Sequence, residues 1–283
     1  MSEMKPACSK YFGPSTRTRA KCTHVLTEQN VLKTTSKRKA QSISSKVATK
    51  AGKRKLQVRY EPDNWREVLG NIRTMRKSLN APVDVMGCER CTRDNFTKRE
   101  KRFHILVSLM LSSQTKDHVT YAAMSRLIEY GLTIENMIEI SEEKLGELIY
   151  PVGFWKKKVK FLKQAFLMIR EEFDGDIPTS VESLVKLPGV GPKMAYLTMN
   201  CAWNKVVGIG VDVHVHRISN RLGWVKKAKD PEQTRKQLED WLPKELWKEV
   251  NWLLVGFGQQ ICLPTTPKCS ECLNNKVCPS AKS

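Results

Sequence analysis

The feature that most constrains this sequence is the spacing of its apolar residues, which recur at intervals of three and four almost everywhere beyond Asp63. That interval places side chains on one face of an α-helix, whereas a half-buried strand needs strict alternation. Val206–Val211 is strand-like, but no neighbouring run would pair with it. The sequence therefore predicts an all-α protein with short loops. The clearest helical segments are Phe103–Leu111, Val119–Ile128, Glu143–Ile149, Val159–Ile169 and Met194–Trp203.

Polar residues mark where several helices begin. Asp63 is predicted to cap the first helix, because its side chain can accept hydrogen bonds from the free N–H groups of the first turn. Thr179 and Glu182 have the spacing of a capping box. Asp230 precedes Pro231, which combines an N-cap residue with proline at the first helical position.

Positive charge is concentrated at the N-terminus. The chain has 49 Lys and Arg against 29 Asp and Glu, a net charge of +20, and residues 1–60 hold 15 of the basic and 2 of the acidic residues. Residues 1–59 show no sustained apolar period, so they are predicted to be a disordered basic tail. Such charge favours a polyanion as partner, because neutralising phosphates releases counterions. A tail that serves only targeting or solubility is the alternative.

Short basic runs in the tail indicate where the protein works. Lys37–Lys39 and Lys53–Lys55 are typical of a two-part nuclear import signal, and a mitochondrial transit peptide ranks second. The longest apolar run, Ile105–Leu111, is too short to cross a bilayer, and no apolar segment follows the N-terminus. We therefore expect an intracellular protein without a membrane anchor, in the nucleus first and the mitochondrion second.

A glycine-rich segment, Leu187–Lys193, lies between two helical patterns. Gly189 and Gly191 allow a tight turn and a close approach of another molecule to the backbone. Pro192 starts the next helix, whose N–H groups and dipole favour a phosphate. The segment lacks the spacing of a P-loop, so a duplex backbone is favoured over a nucleoside triphosphate. A plain turn between helices is the alternative.

Lys193 and Asp212 are the candidate catalytic residues. The positive end of the helix dipole disfavours an ammonium at Lys193, and a neutral amine can be a nucleophile that forms a Schiff base. A simple phosphate contact is the alternative. Asp212 lies between an apolar run and a helix, where a carboxylate can position water, stabilise a developing cation or simply cap the helix. His214 and His216 could ligate a metal, but no second pair of ligands lies nearby.

Four of the nine cysteines crowd the C-terminus, namely Cys262, Cys269, Cys272 and Cys278. Because no secretory signal precedes them, these thiols are predicted to bind metal and not to form disulfides. Zinc sites generally have two close cysteine pairs, and here only Cys269 and Cys272 are that close. Ligation from one loop also suits a [4Fe-4S] cluster. Spacing alone leaves zinc and the cluster open.

From about Asp63 to Cys278 the chain resembles the endonuclease III family of base-excision DNA glycosylases, most closely its animal members. Leu187–Lys193 is similar to the helix-hairpin-helix of the family, and Lys193 matches the catalytic lysine. Asp212 matches the catalytic aspartate. The intervals between the four cysteines match the iron–sulfur loop of the family, so the resemblance implies a [4Fe-4S] cluster in place of zinc.

The resemblance also implies residues that contact DNA. Gln114 lies in Leu111–Thr115, which is similar to the loop whose glutamine enters the gap left by a flipped base. Phe154 stands where bacterial members have a smaller aliphatic wedge, so this position departs from the family pattern. The remaining residues of the expected DNA-contacting set are Gly189, Gly191 and His214.

The family implies two helical domains, with the DNA and the active site in the cleft between them. One is expected to be a six-helix module at 95–206, and the other an iron–sulfur module formed by 60–94 and 207–283. The implied activity is excision of oxidised pyrimidines through a lysine Schiff base, followed by β-elimination. The implied partners are duplex DNA with oxidised pyrimidines or abasic sites and a downstream AP endonuclease, with the protein acting as a monomer.

Two other functions fit parts of the sequence. A mismatch-adenine glycosylase shares the hairpin and the cluster, but it lacks the catalytic lysine and usually carries a further C-terminal domain. Lys193 and the short sequence after Cys278 both oppose that assignment. A non-enzymatic iron–sulfur DNA-binding protein needs no lysine–aspartate pair, and trapping of a Schiff base would distinguish it from the enzyme.

Overall fold

The computed structural model describes residues 60–281. Within this range every regular element is helical, so the all-α prediction is confirmed for the described part of the chain. Val206–Val211 is irregular, and the predicted tail at 1–59 lies outside the described residues. No helix between residues 60 and 281 has the length and apolar character needed to cross a membrane. The α-helices are α1 (Trp65–Met75), α2 (Pro82–Met86), α3 (Lys98–Ser112), α4 (Asp117–Tyr130), α5 (Ile134–Glu139), α6 (Glu142–Ile149), α7 (Trp155–Glu172), α8 (Val181–Leu184), α9 (Pro192–Cys201), α10 (Val213–Arg221), α11 (Pro231–Trp241) and α12 (Trp247–Gln260).

Side chains at helix starts follow the local sequence in most places. Asp230 accepts a hydrogen bond from the backbone N–H of Gln233 at 2.8 Å, and Pro231 opens α11, as predicted. The prediction for α1 is wrong by one residue, because Asn64 and not Asp63 occupies the N-cap position. No side chain caps α1, so this helix depends on the burial of its apolar face.

Buried apolar side chains form two clusters within one compact unit. The first cluster draws on α3 to α9 and includes Phe103 and Phe166, whose ring centroids are 5.2 Å apart. The second cluster joins α1 to α10, α11 and α12, and the Trp65 ring packs on Trp241 with centroids 5.4 Å apart. The first helix therefore packs with the last three. The module boundaries at 95–206 and 207–283 stay a prediction.

A buried ion pair connects α2 to the second cluster. Arg76, which directly follows α1, donates two hydrogen bonds to the carboxylate of Asp84 at 2.7 and 2.8 Å, and it is 1% exposed. Gln260 at the end of α12 accepts a third bond from the same guanidinium at 3.2 Å. A buried charge that loses its partner is strongly destabilising, so this contact fixes α2 against α1 and α12.

Candidate active site and nucleic-acid interface

A cleft of about 2300 Å³ contains both candidate catalytic residues. Its walls come from α3, α4 and α9 on the side of the first cluster and from α10, α11 and α12 on the side of the second, and α2 also lines it. The cleft is therefore formed jointly by the two halves of the protein. The predicted site residues that line it are Lys193, Asp212, Gln114 and His214.

Lys193 is the second residue of α9 and is half-buried. Pro192 occupies the first helical position, and Gly191 is an N-cap residue that provides no side-chain hydrogen bond. The N–H groups of the first turn therefore have no side-chain partner at the cap. Pro192 and Lys193 both line the cleft, so the positive end of the α9 dipole faces it and favours an anion there.

The chain just before Asp212 packs on the helix that begins with Lys193. A β-carbon on Gly210 would lie 2.6 Å from the side chain of Leu197, one turn beyond Lys193, so this backbone segment directly contacts α9. Asn251 of α12 donates a hydrogen bond to the carbonyl oxygen of Gly210 from the other side. Contacts on both sides therefore fix the position of Asp212 relative to Lys193.

Asp212 caps α10. Its Oδ1 accepts a hydrogen bond from the backbone N–H of Val215 at 2.8 Å, so the capping alternative is confirmed. The cap uses one carboxylate oxygen, and Asp212 lines the same cleft as Lys193. Capping holds the carboxylate in one orientation, which is also what a catalytic carboxylate needs. The catalytic role of Asp212 stays a prediction.

His214 is half-buried in the wall of the cleft and diverges from His216. Its Nδ1 accepts a hydrogen bond from the guanidinium of Arg217 at 3.2 Å, whereas His216 Nδ1 contacts the hydroxyl of Thr234 at 2.7 Å. Burial lowers the pKa of His214 below its usual value. Burial therefore favours the neutral form of the ring. The two histidines bond to different partners, which does not favour a shared metal site.

Gln114 and Phe154 both have left-handed backbone conformations. Their φ angles are 52° and 56°, which L-residues other than glycine adopt rarely. A β-carbon on Gly153 would lie 2.4 Å from the carbonyl oxygen of Gln114, so the two loops are in direct contact. Phe154 is 68% exposed, unusually high for a large apolar side chain. Gln114 and Phe154, the two wedge residues predicted to enter the base stack, therefore lie in adjoining loops that both have a strained backbone.

The glycine-rich hairpin adjoins these loops. Gly189 lines a smaller cavity of about 320 Å³ together with Gln114 and Phe154. The amine of Lys157 lies 5.4 Å from the centre of the Phe161 ring, and both side chains line the same cavity. The hairpin, both wedges and a lysine therefore share one surface, as an interface with a single duplex requires.

Asp117 is a candidate that the sequence reasoning missed. It is the first residue of α4, three positions after Gln114, and it lines the cleft. Its carboxylate accepts a hydrogen bond from the Gln259 side chain of α12 at 2.7 Å, which connects the two walls. An acidic residue in the first turn of a helix is common, so the sequence around Asp117 contains no functional signal. Only the contact across the cleft distinguishes this residue.

The four predicted metal-binding cysteines lie in the loop after α12. Cys262, Cys272 and Cys278 pack against the second apolar cluster, and Cys269 begins a short 3-10 helix. All four are half-buried. Burial raises the pKa of Cys272 and of Cys278, and charge on the neighbouring cysteines adds to the increase. The four thiols are therefore close enough to interact electrostatically.

Two arginines of α10 contact this loop. Arg221 donates hydrogen bonds to Cys262 Sγ at 3.3 Å and to the carbonyl oxygen of Leu263 at 2.7 Å. Arg217 donates a bond to the carbonyl oxygen of Cys262 at 2.8 Å. Arg221 therefore places a positive charge beside one of the four sulfur atoms, which would balance part of the negative charge of an all-thiolate site.

The spacing of the cysteines bears on which metal fits. A tetrahedral zinc site needs sulfur atoms within about 4 Å of each other, because each Zn–S bond is about 2.3 Å long. Among residues 60–281, no three His, Cys, Asp or Glu side chains are close enough to bind one ion. Four thiols from one loop are a donor set that a [4Fe-4S] cluster takes, so the residues present fit such a group.

Comparisons with known proteins agree with the resemblance seen in the motifs. Residues 107–244 match the family model of the HhH-GPD superfamily base excision DNA repair protein. The chain is 57% identical to endonuclease III-like protein 1 of Gallus gallus over 225 residues, which cover 79% of this chain and 80% of that protein. It is 54% identical over 225 residues to the endonuclease III homolog of Schizosaccharomyces pombe, covering 78% of this chain and 63% of that protein.

Solved structures share the architecture. A trapped covalent intermediate of endonuclease III with DNA matches with a TM-score of 0.67 at 26% identity, covering 77% of this chain and 95% of that chain. A thermostable thymine-DNA glycosylase matches with a TM-score of 0.56 at 19% identity, covering 76% and 98% of the two chains, which shows the shared fold. The chain therefore belongs to the endonuclease III family of DNA glycosylases, within the HhH-GPD superfamily of base excision DNA repair proteins.

Proposed function

We propose that this protein is a bifunctional DNA glycosylase and AP lyase that excises oxidised pyrimidines from duplex DNA and cuts the strand by β-elimination. The observation that carries the proposal is the presence of Lys193 and Asp212 in one cleft, with Gln114 in its wall. A protein that only binds DNA has no need of an amine and a carboxylate in the same cleft. An endonuclease III has been trapped as a covalent intermediate with DNA, which supports a nucleophile in its relative.

Phosphates of the duplex would be held at the edge of the cleft. A β-carbon on Gly191 would meet no atom within 4 Å, so a DNA backbone can approach the hairpin closely. The uncapped start of α9 attracts a phosphate, and the exposed Lys156, Lys157 and Lys160 of α7 add positive charge. Phosphate contacts position the duplex without reading its sequence, which suits an enzyme that must find damage anywhere.

Gln114 and Phe154 would stabilise the duplex after the damaged nucleotide has swung out. Unstacking and unpairing one nucleotide costs a few kcal/mol. The exposed Phe154 ring contributes little to folding, but stacking of a base on an aromatic ring is worth about 1–3 kcal/mol. The two side chains could therefore offset much of the cost of flipping.

The chemistry follows from the two catalytic groups. The amine of Lys193 attacks C1′ of the flipped nucleotide, the bond from C1′ to the base breaks, and the base leaves with the electron pair. The Asp212 carboxylate stabilises the positive charge that develops on the sugar, takes up the proton that the amine loses, and returns it to O4′ when the C1′–O4′ bond breaks. Opening of the sugar ring leaves an imine between Lys193 and C1′. Loss of a C2′ proton then expels the 3′ phosphate, and hydrolysis of the imine releases the enzyme.

We also propose that the four cysteines of the C-terminal loop hold a [4Fe-4S] cluster with a structural role. When bound, the cluster supplies a cross-link between four points of that loop. Arg217 connects the loop to the cleft, because one nitrogen of its guanidinium lies 2.8 Å from the Cys262 carbonyl oxygen and 3.2 Å from His214 Nδ1. An ordered loop would therefore stabilise the position of His214 in the wall of the cleft.

The product of the proposed reaction indicates which enzyme must act next. β-Elimination leaves a sugar fragment on the 3′ end, which must be removed before a polymerase can extend the strand, so an AP endonuclease is expected to act next.

We expect the protein to act as a monomer, because both catalytic groups come from one chain. The basic runs at Lys37–Lys39 and Lys53–Lys55 favour the nucleus, with the mitochondrion as a second location.

A panel of duplexes, each with a single defined lesion, tests the proposed substrate class. Base release and strand cleavage are measured separately for thymine glycol, 5-hydroxycytosine, an abasic site, an adenine–guanine mismatch and undamaged DNA. We expect release of the oxidised pyrimidines and cleavage at the abasic site. Release of mismatched adenine alone would assign the chain to the mismatch-adenine glycosylases. Tight binding without base release or cleavage would favour a non-enzymatic protein.

A further inference from the structure

Lys158 is a buried lysine that the proposed mechanism does not use. It belongs to α7, is 8% exposed, and its backbone N–H donates a hydrogen bond to the carbonyl oxygen of Phe154 at 3.0 Å. Lys158 therefore lies one helical turn beyond Phe154. Among residues 60–281 no carboxylate forms an ion pair with it.

All three N–H groups of the Lys158 ammonium bond to the loop that carries Gln114. Nζ donates to the carbonyl oxygens of Leu111 and Ser113, each at 2.6 Å, and to the hydroxyl of Thr115 at 3.3 Å. These acceptors lie on both sides of Gln114. The carbonyl groups at the end of α3 lack partners within the helix, so the ammonium stabilises the negative end of that helix.

The same network reaches the loop before Phe154. The Thr115 hydroxyl accepts a hydrogen bond from the backbone N–H of Gly153 at 3.1 Å as well as the one from Lys158. Lys158 is thus linked to Phe154 by two routes, the α7 backbone and the Thr115–Gly153 bridge. Both wedge residues have strained positive φ angles, which persist only where surrounding contacts hold them.

We propose that Lys158 is a positioning residue that holds Gln114 and Phe154 in place for insertion into damaged duplex DNA. The inference rests on the proposed function, because it takes a lesion-bearing duplex as the ligand. Lys158 makes no direct contact with the reacting atoms in this account. Its ammonium holds the two strained loops in a fixed position relative to each other. The entropic cost of ordering these loops therefore arises during folding and not when DNA binds.

The charge state of Lys158 is consistent with this role. Burial lowers the pKa of Lys158 to about 8, so the ammonium is still the main form at pH 7. Among the described residues that line the adjoining cavity, Lys157 is the other charged side chain, and it is exposed. The backbone carbonyl dipoles therefore stabilise the buried charge.

Lys163 provides a matched control on the same helix. Its amine also donates to backbone carbonyl oxygens, those of Met137, Ile138 and Ile140, but this network lies at the end of α5. Lys163 does not line either cavity. Lys158→Met and Lys163→Met each keep the apolar stem and remove an ammonium bound by carbonyl groups, and they differ in location.

The test compares affinity for a duplex with a tetrahydrofuran abasic analogue and for the same duplex without it. Lys158→Met is expected to lower this affinity ratio about tenfold, the shift expected when a strained residue is free to relax. Lys163→Met is expected to keep the ratio within about twofold, although both variants lose thermal stability. The fluorescence of 2-aminopurine opposite the analogue should change in Lys158→Met alone, because it reports stacking by the inserted side chains.

An unchanged ratio in Lys158→Met, or equal losses in both variants, would overturn the positioning role. If Lys158→Met does not fold, Thr115→Val removes the bridging hydroxyl while keeping the side-chain shape. It should lower the ratio about threefold, since one of the two routes to Phe154 remains; an unchanged ratio would refute the bridge. Borohydride trapping of the wild type on abasic DNA separates the two proposals, because a wild type that forms no adduct contradicts the proposed function itself.

Discussion

Gly189 packs so closely on Phe161 that a β-carbon at residue 189 would lie 2.8 Å from the phenyl ring. Gly189 also has a φ of 82°, which L side chains rarely adopt. Through this contact the hairpin packs on α7, the helix that begins directly after Phe154. The part of the protein expected to hold phosphates and the part expected to enter the base stack are therefore joined through Phe161.

Gly189→Ala and Gly191→Ala should separate folding from DNA contact. Gly189→Ala introduces both strain and a clash, so it should lower the free energy of unfolding by about 1–3 kcal/mol. Gly191 has an extended backbone with φ of −96° and open space around it, so its alanine variant should stay within about 0.5 kcal/mol of the wild type. Denaturant unfolding measures both values.

Gly191→Ala should nevertheless weaken binding to damaged and undamaged duplexes alike, because its methyl group occupies the space open to a phosphate backbone. Titration of a labelled duplex measures this effect. Wild-type affinity in Gly191→Ala would show that the DNA backbone does not approach the hairpin there.

Gln114→Ala should weaken binding to a duplex with an abasic analogue more than binding to intact duplex. A polar side chain that fills a vacated stack has no role where no base has left it. Lys116→Ala is the control in the same loop, since an exposed charge on a phosphate should affect both duplexes equally. Competition titrations measure the two affinity ratios. Equal losses on both duplexes in Gln114→Ala would assign the residue to backbone contact or loop structure.

The helical class could be predicted because its signal is local and repeated. Apolar residues at intervals of three and four define helix faces without knowledge of their partners. The residue at which a helix starts is harder to predict than the helical class. At α8 the Thr179–Glu182 prediction is wrong, because Ser180 is the N-cap and accepts a hydrogen bond from the Ser183 N–H at 3.2 Å. Two adjacent hydroxyl residues offer the same chemistry, and only the backbone path selects one.

The role of Lys158 could not be predicted. It is the last of the three consecutive lysines Lys156–Lys158, a pattern typical of a solvent-exposed charged segment. The register of α7 exposes the first two lysines and buries the third, and that register depends on packing against distant helices. The contact of Asp117 with Gln259 depends in the same way on tertiary structure. Motifs identify Lys193 and Asp212 as candidates, because the residues next to them in sequence carry the signal.

Cys269→Ser should lower both iron content and soluble yield. Metal binding and folding of such a loop are coupled, so losing one of four thiolates destabilises the whole segment. Cys88→Ser removes a half-buried thiol outside the loop and should leave the iron content unchanged. Iron, sulfide and zinc are measured in protein produced with sufficient iron. Stoichiometric zinc without iron in the wild type would exclude the cluster.

His214 should make stability fall as the pH drops below about 6.5. Burial lowers the pKa of His214 in the folded protein, so the unfolded chain binds a proton that the folded protein does not. Stability from this group is therefore present above the usual histidine pKa and is lost as the pH falls through that window. His214→Gln should show a shallower fall than His118→Gln, which changes an exposed histidine of the same cleft. Identical slopes between pH 5 and 7, from thermal unfolding at each pH, would contradict this.

Asp212→Asn tests the carboxylate without disturbing the helix it caps. Asparagine is as good an N-cap as aspartate, so the bond to the Val215 N–H should persist. Loss of the charge should slow base release about 100-fold or more at saturating DNA, while affinity changes little. Single-turnover kinetics measure both quantities. Full activity in Asp212→Asn would reduce the residue to a helix cap.

Borohydride trapping with Lys193→Gln tests the central claim most directly. Borohydride reduces an imine to a stable amine, so the wild type should form a covalent adduct with DNA during turnover. Lys186→Gln changes an exposed lysine that precedes the hairpin and does not line the cleft, and it should form the same adduct. Lys193→Gln should bind the duplex yet form no adduct and cleave no strand. An adduct that persists in Lys193→Gln and maps to another lysine would contradict the account.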